Sequence, residues 1–240
     1  DTNRRVIAFH KAVRDTPYDV FEELGRLPAD GSYREAYNTV RTAFNEEMFG
    51  GARHAARMLW LNKACFNGLF RENKKGMFNV PVGRYERLSL PSADQVYRVS
   101  RLLEGTRLEA LDFPASLKLA REGWWIPGTE TWGEKKVRKV VYCDPPYVPL
   151  SETASFTGYA AGGFGLEDQA ALGRELVQTA RTGAVVVLSQ ADLPAVTDSD
   201  GLFAGLEVVD RFTVQRSISR GKRGKVGEVL MRSGPAQKSI

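Results

Sequence analysis

Four consecutive residues, Asp144-Pro145-Pro146-Tyr147, combine types that could do chemistry, and they follow a short apolar β-branched run, Val140-Val141-Tyr142-Cys143. Such a run reads as a strand buried on both faces in the middle of a parallel sheet. The prolines end it, because each lacks an N–H and has φ fixed. Carbonyls beyond the strand then have no ladder partners and can face a crevice. Open α/β sheets bind ligands in such crevices, at the carboxyl ends of their strands. Asp144 and the Pro145 carbonyl offer two acceptors, and Tyr147 offers a flat face for stacking. Together they suit the exocyclic amine of a purine or pyrimidine. Taken alone, the same four residues also describe an ordinary turn at a strand end.

A second chemistry-bearing stretch lies upstream. Phe66, Asn67, Leu69, Arg71, Lys74, Lys75, Asn79 and Arg84 crowd into the segment from Leu61 to Tyr85. Within it, Asn73-Lys74-Lys75-Gly76 is a turn signal between two partly alternating runs, which predicts a β-hairpin or ribbon. Basic and amide side chains interleaved with apolar ones suit a ribbon pressed against nucleic acid. Arginine can read guanine, asparagine can read adenine, and an apolar wedge can enter a base step. A surface hairpin with solvated lysines is the competing reading. A third stretch, Arg216-Ser217-Ile218-Ser219-Arg220-Gly221-Lys222-Arg223-Gly224-Lys225, places five cations on a glycine-rich turn. Such a loop can grip phosphates, or it can be a solvated turn.

The elements that must position these groups are legible from periodicity. Asn3 or Thr2 can cap a helix over Arg4–Arg14, and Pro17 opens a second that ends near Gly25. Ser32 starts a third, with Tyr33, Ala36, Tyr37, Val40 and Phe44 on one stripe. Gly50-Gly51 breaks it, and Ala52–Phe66 reads as a fourth helix. Pro91–Leu103 gives one more, closed by Gly105. These stripes are packing faces of a small helical module. Arg107–Asp112 resembles a strand, with Asp112-Phe113 at its carboxyl end as a second candidate ligand contact. Residues 123–136, with three tryptophans, form a long connection or lid, and 151–165 a loop beside the site. Leu166–Arg181 reads as a helix and Ala184–Ser189 as another buried strand. Leu206–Val214 and Lys225–Met231 read as an antiparallel pair at the sheet edge, followed by a frayed tail after Arg232.

Bulk properties bound the rest. The 240 residues are 42% hydrophobic and 26% charged, which is globular in character. A formal charge of +5 leans towards an anionic partner. The two cysteines, Cys65 and Cys143, sit in apolar surroundings outside any C-x-x-C pair, as buried free thiols of a reducing compartment do. With only His10 and His54, no metal site is expected. No apolar run approaches the ~20 residues of a membrane span, so a cytoplasmic protein without membrane contact is expected.

These residues resemble a known family. Asp-Pro-Pro-Tyr is shared by many amino-methyltransferases that use S-adenosylmethionine. Phe66-Asn67-Gly68-Leu69-Phe70-Arg71, Gly76-x-Phe78-Asn79-Val80-Pro81-x-Gly83-Arg84-Tyr85, Leu150–Thr157 and Arg216-Ser217-Ile218-Ser219 are, with it, similar to the Dam-type DNA adenine-N6 methyltransferases. The likeness runs in order over nearly the whole chain. It implies an α/β fold: a Rossmann-like methyltransferase sheet, incomplete at the amino terminus, with an inserted helical DNA-recognition domain carrying a β-hairpin. Residues 1–104, with the hairpin at about 66–85, would form the recognition domain, and 105–240 the catalytic one. The resemblance further implies that Asp144, Pro145, Pro146 and Tyr147 hold a flipped adenine. Asp1, Asp112, Phe113 and Asp144 would contact S-adenosylmethionine. Phe66, Asn67, Leu69, Arg71, Lys74, Asn79, Pro81, Arg84, Arg216, Ser217 and Ser219 would contact duplex DNA, with GATC as the expected target.

One departure stands out. The family's Lys-Trp-Ala-Gly-Gly-Lys-like stretch and F-x-G-x-G loop do not occur before Asp1. Asp1 matches the acid that ends the second strand, so the first two strands are expected in a further amino-terminal segment. A DNA-binding remnant or fragment without catalysis is therefore the alternative. Methyl transfer to RNA or a protein amide is a third reading, disfavoured by the base-reading hairpin.

Overall fold

In the computed structural model, residues 1–122, 139–148, 164–215 and 225–234 are described. The chain divides into two compact units, Asp1–Leu111 and Asp112–Ile240.

The first unit is helical. Helix α1 (Arg4–Asp15) begins where the Asn3 side chain accepts from the amides of Arg5 and Val6, and α2 (Pro17–Gly25) opens on its proline. Helix α3 (Tyr33–Glu46) buries Tyr33, Tyr37, Val40 and Phe44, a stripe at helical spacing. Helix α4 (Gly51–Ala64) supplies Trp60 and Leu61 to the same core, which also takes in Leu24, Phe78, Val80 and Leu88. The indole of Trp60 donates to the Pro28 carbonyl (2.7 Å), so the largest buried ring keeps its polar atom satisfied. After α4 come a 3₁₀ turn at Phe66–Gly68 and helix α5 (Ala93–Leu103), which starts on a Ser92/Gln95 capping box. Gly105 then turns the chain at φ +72°.

The second unit holds helix α6 (Phe113–Glu122) and a four-stranded mixed sheet. Strand β1 (Val140–Cys143) runs parallel to β2 (Val185–Ala191), and helix α7 (Leu166–Arg181) lies between them in sequence. A short helix, α8 (Pro194–Thr197), leads to β3 (Leu206–Gln215) and β4 (Lys225–Ser233). The strand order is β1-β2-β4-β3, with β4 antiparallel to both neighbours. Leu172 and Leu176 of α7, Val186 and Leu188 of β2, and Val229 and Met231 of β4 form the core. Gly173 is required in α7: a Cβ there would stand 2.1 Å from the Leu202 carbonyl oxygen.

Two expectations are corrected. Strand β1 is not covered on both faces: Val140 and Tyr142 are 65% and 62% exposed. Among the described residues it is an edge strand, paired with β2 alone, and only Val141 and Cys143 turn towards the core. Arg107–Asp112 is not a strand. Its Leu111 amide bonds the Asp1 carbonyl (3.1 Å) and the segment runs into α6, where Asp112 accepts from the Ala115 amide (2.9 Å). The side chain expected at a strand end instead caps a helix.

Candidate functional site

The register of the sheet gathers one end of three strands. Cys143 lies opposite Leu188, and Ala191 opposite Glu228, so the carboxyl end of β1, that of β2 and the start of β4 sit together. Asp144-Pro145-Pro146-Tyr147 leaves the sheet at this end. Asp144 is exposed, and its Oδ1 accepts from the Ser189 hydroxyl (2.7 Å). Tyr142 lies 3.1 Å from the same hydroxyl oxygen and can donate to it, which completes a Tyr142–Ser189–Asp144 relay. The second Asp144 oxygen and the Pro145 carbonyl take no hydrogen bond from any described residue. The Tyr147 hydroxyl donates to Glu228 of β4 (3.3 Å). Burial chiefly pushes the Tyr147 phenol above its ordinary value, and the nearby Glu228 and Asp144 carboxylates act in the same direction. It therefore stays protonated as the donor. Burial also pushes the Cys143 thiol up to about 11, so that thiol is inert at neutral pH.

Just beyond Tyr147, Val148 donates its amide to the buried Gln190 side chain (2.8 Å), and the Pro146 carbonyl accepts from Gln169 (2.5 Å). Sequence reasoning missed Ser189, Gln190, Gln169 and Glu228. The one available signal was two polar residues, Ser189-Gln190, ending a buried β-branched strand.

The Leu61–Tyr85 segment forms the expected reversal, but with two isolated bridges, Cys65–Val82 and Glu72–Phe78, in place of a regular ladder. Its tip is closed locally. The Asn73 side chain accepts from the amides of Lys75 and Met77 (2.9 and 3.1 Å), and the Asn73 amide bonds the Met77 carbonyl (2.9 Å). The returning limb is anchored by α3. The Asn45 amide pairs with both backbone groups of Phe78 (2.8 and 3.1 Å), as a neighbouring strand would. Tyr37 donates to the Val80 carbonyl (2.8 Å), and Tyr85 donates its amide to the Tyr33 hydroxyl (2.9 Å). Helix-borne side chains thus supply the bonds that a second strand would have made.

Of the residues singled out here, Phe66, Asn67, Arg71, Lys74, Pro81 and Arg84 are exposed, and Phe66 is 49% so. Asn67 sits at φ +54°, the left-handed region that a short amide side chain tolerates. Leu69 is instead partly buried against the helical core. Asn79 is turned onto Arg71: the guanidinium Nε donates to Asn79 Oδ1 (2.7 Å) and Nη2 to the Asn79 carbonyl (3.2 Å). Arg71 is thereby held in one orientation with Nη1 directed elsewhere.

In the second unit Asp112 is exposed, and Phe113 meets Phe164 edge-on (5.6 Å between ring centres). Asp1 is exposed in the first unit. Arg216, Ser217 and Ser219 lie outside the described residues, as do the 123–136 connection, most of the 151–165 loop and the Leu150–Thr157 stretch. The pairing of Gln215 with Lys225 lies at the Asp144 end of the sheet. Among the described residues no group of three or more His, Cys, Asp or Glu side chains could hold a metal ion, and no helix is long and apolar enough to cross a membrane.

Two acceptors and an aromatic ring thus stand at the end of a parallel strand in one unit, and the other unit carries an arginine-bearing reversal. The D12 class N6 adenine-specific DNA methyltransferase family matches residues 1–123 and 130–206. The DNA adenine methylase of Vibrio cholerae serotype O1 is 34% identical over 234 residues, which is 96% of this chain and 77% of that protein. The DNA adenine methylase of Salmonella typhi is 35% identical over 199 residues, 82% of this chain and 62% of that protein. A type II methyltransferase of Lactococcus lactis subsp. cremoris, M1.LlaDCHI, is 28% identical over 237 residues, 96% of this chain and 77% of that protein. The chain belongs to the D12 class N6 adenine-specific DNA methyltransferase family.

Proposed function

We propose that this protein methylates N6 of an adenine turned out of duplex DNA, with S-adenosylmethionine as the methyl donor and GATC as the target. The observation that carries the reading is the Asp144 carboxylate, held through Oδ1 by Ser189, with its other oxygen and the Pro145 carbonyl taking no hydrogen bond among the described residues. One N6 hydrogen goes to Asp144 and the other to Pro145. Two acceptors in these positions draw the nitrogen lone pair out of ring conjugation and leave it free to attack. Tyr147, steadied by Glu228, lays its ring on the base. Asp144 is also placed to take the proton released as the amine becomes a secondary amine. S-adenosylmethionine supplies a methyl group on a cationic sulfonium, so the leaving group needs no metal.

Asp112 and Phe113 fit a role in holding that donor. Asp112 spends one oxygen on the Ala115 amide and is exposed, which leaves the other for a hydroxyl or amine, and Phe113 offers a half-buried ring. Asp1, whose carbonyl is tied to Leu111, is the further candidate.

The first unit then serves as the DNA-reading domain and the second as the catalytic one. Arg71, oriented by Asn79, reads a guanine; Phe66 and Asn67 occupy the space of the opened pair; Lys74, Pro81 and Arg84 line the duplex. Arg216, Ser217 and Ser219 grip phosphates. The test is Asp144→Ala in a labelled methyl-transfer assay on a GATC duplex, with a parallel DNA titration. Loss of transfer with DNA affinity retained is expected, and turnover equal to the parent's overturns the proposal.

A further inference from the structure

The two buried glutamines behind the proposed adenine site form a one-way relay. Gln190 is fully buried and Gln169 is 2% exposed. Gln190 Oε1 accepts from the Val148 amide (2.8 Å) and the Ala191 amide (2.9 Å). An oxygen that holds two N–H donors fixes which end of the amide is which. Gln190 Nε2 must therefore donate, and it reaches Gln169 Oε1 (3.3 Å). Gln169 is fixed in turn, and its Nε2 donates to the Pro146 carbonyl (2.5 Å).

The relay therefore pins the backbone on both sides of Tyr147, at the Pro146 carbonyl and the Val148 amide. Pro146 has φ fixed by its ring. With that φ fixed, ψ of Pro146 is the one soft torsion left between its held carbonyl and the peptide plane that carries the Pro145 oxygen. Both anchors are core elements, since Gln169 stands on the first turns of α7 and Gln190 on the buried strand β2.

We infer that Gln169 is a positioning residue for methyl transfer: acting through Pro146 and with Gln190, it orients the Pro145 carbonyl and the Tyr147 ring on the target adenine. The inference rests on the role proposed above for Asp144–Tyr147. Nothing in Gln169 touches the base, so its effect belongs in kcat rather than in the KM for DNA.

The experiment compares Gln169→Met, Gln169→Glu and Asp144→Ala by methyl transfer to a GATC duplex from pH 8 to pH 6, with thermal melts at each pH. Gln169→Met keeps the volume but leaves the Pro146 carbonyl buried without a donor. A kcat lower by up to about 100-fold is expected, the loss that a misplacement of about 1 Å can cause, while the unpaired acceptor itself lowers the melting temperature. Gln169→Glu can accept from Gln190, but when ionised it turns a second oxygen towards the Pro146 carbonyl. Protonation makes that oxygen a donor, so its kcat relative to the parent should rise as pH falls. A flat ratio across pH, or unchanged kcat in both variants, overturns the inference. If Gln169→Met fails to fold, the Gln169→Glu profile alone decides. Asp144→Ala separates the two readings: inactivity at every pH keeps the site assignment while the glutamine arms succeed or fail, and full activity removes the site assignment itself.

Discussion

Lowering the pH should loosen the first unit through a single side chain, His54. This ring is fully buried on α4, stacked on Phe44 (4.5 Å between centres, planes at 20°), and neither of its nitrogens has a hydrogen-bond partner among the described residues. The Arg5 guanidinium lies over the same Phe44 (5.0 Å) and over Phe49 (5.7 Å), and Arg57 pairs with Glu47 nearby. Burial chiefly, with the Arg5 and Arg57 charges adding to it, pulls the imidazole from its ordinary 6.5 down to about 4. The unfolded chain therefore takes up the proton first. The contribution of neutral His54 is fully present above pH 6.5 and is lost as the pH falls from there towards 4. At about 1.36 kcal/mol per unit of pH, the loss comes to a little over ~3 kcal/mol. That is a large share of the ~5–15 kcal/mol by which domains are stable. Because Phe44 also meets Phe78 edge-on (6.0 Å), the loosening reaches the limb of the reversal that carries Asn79. Urea unfolding of the parent and of His54→Phe at intervals from pH 7.5 to pH 4.5 measures this directly. The variant should match or exceed the parent at pH 7.5, and the gap in its favour should widen by about 1.36 kcal/mol per unit below pH 6.5. Parallel curves would refute the reasoning, since His10 and every carboxylate are common to both proteins.

Three further outcomes follow from the reversal. Arg71→Ala should cost about 1–3 kcal/mol of discrimination at one base pair, read by competition among single-substituted duplexes. Equal loss on all sequences would mean that Arg71 meets only phosphate. Asn79→Ala should weaken discrimination at that same base pair, and the double variant should be no worse than Arg71→Ala; additive losses would show that Asn79 contacts DNA on its own. Asn45→Ala removes both bonds to the Phe78 backbone and leaves those groups buried, a cost of about 1–3 kcal/mol. Faster amide exchange across Phe78–Val80 is the readout, and unchanged exchange would sink the idea that Asn45 stands in for a strand.

Much of the first unit was legible because it rests on local rules. Asn3 caps α1, Pro17 opens α2, and the stripe of Tyr33, Tyr37, Val40 and Phe44 needs only helical period to be read. The end of β1 was legible for the same kind of reason, since two prolines cannot continue a ladder whatever surrounds them. Local rules failed where the outcome depended on distant neighbours. Val140–Cys143 looks like a strand covered on both faces, yet covering is done by other elements, and one face of β1 has none among the described residues. Asp112 looks like the end of a strand because Arg107–Leu111 has strand composition, but no partner strand meets it among the described residues.

The sequence by itself determined the residue types on which the proposed function turns: an acid, two prolines and a tyrosine after a β-branched run, and arginines and amides around a tight turn. Chemistry of that kind is carried by side chains and by local backbone constraints, which do not wait for the fold. Only the tertiary structure decided how those groups are held. Ser189 reaches Asp144 across 45 positions of chain, and Asn45 reaches Phe78 across 33. Gln169 and Gln190, on different elements, settle the direction of the Pro146 carbonyl. Periodicity names the face a residue occupies. Which donor meets which acceptor is fixed when the faces pack, because a buried polar group must find its partner wherever the fold has placed one.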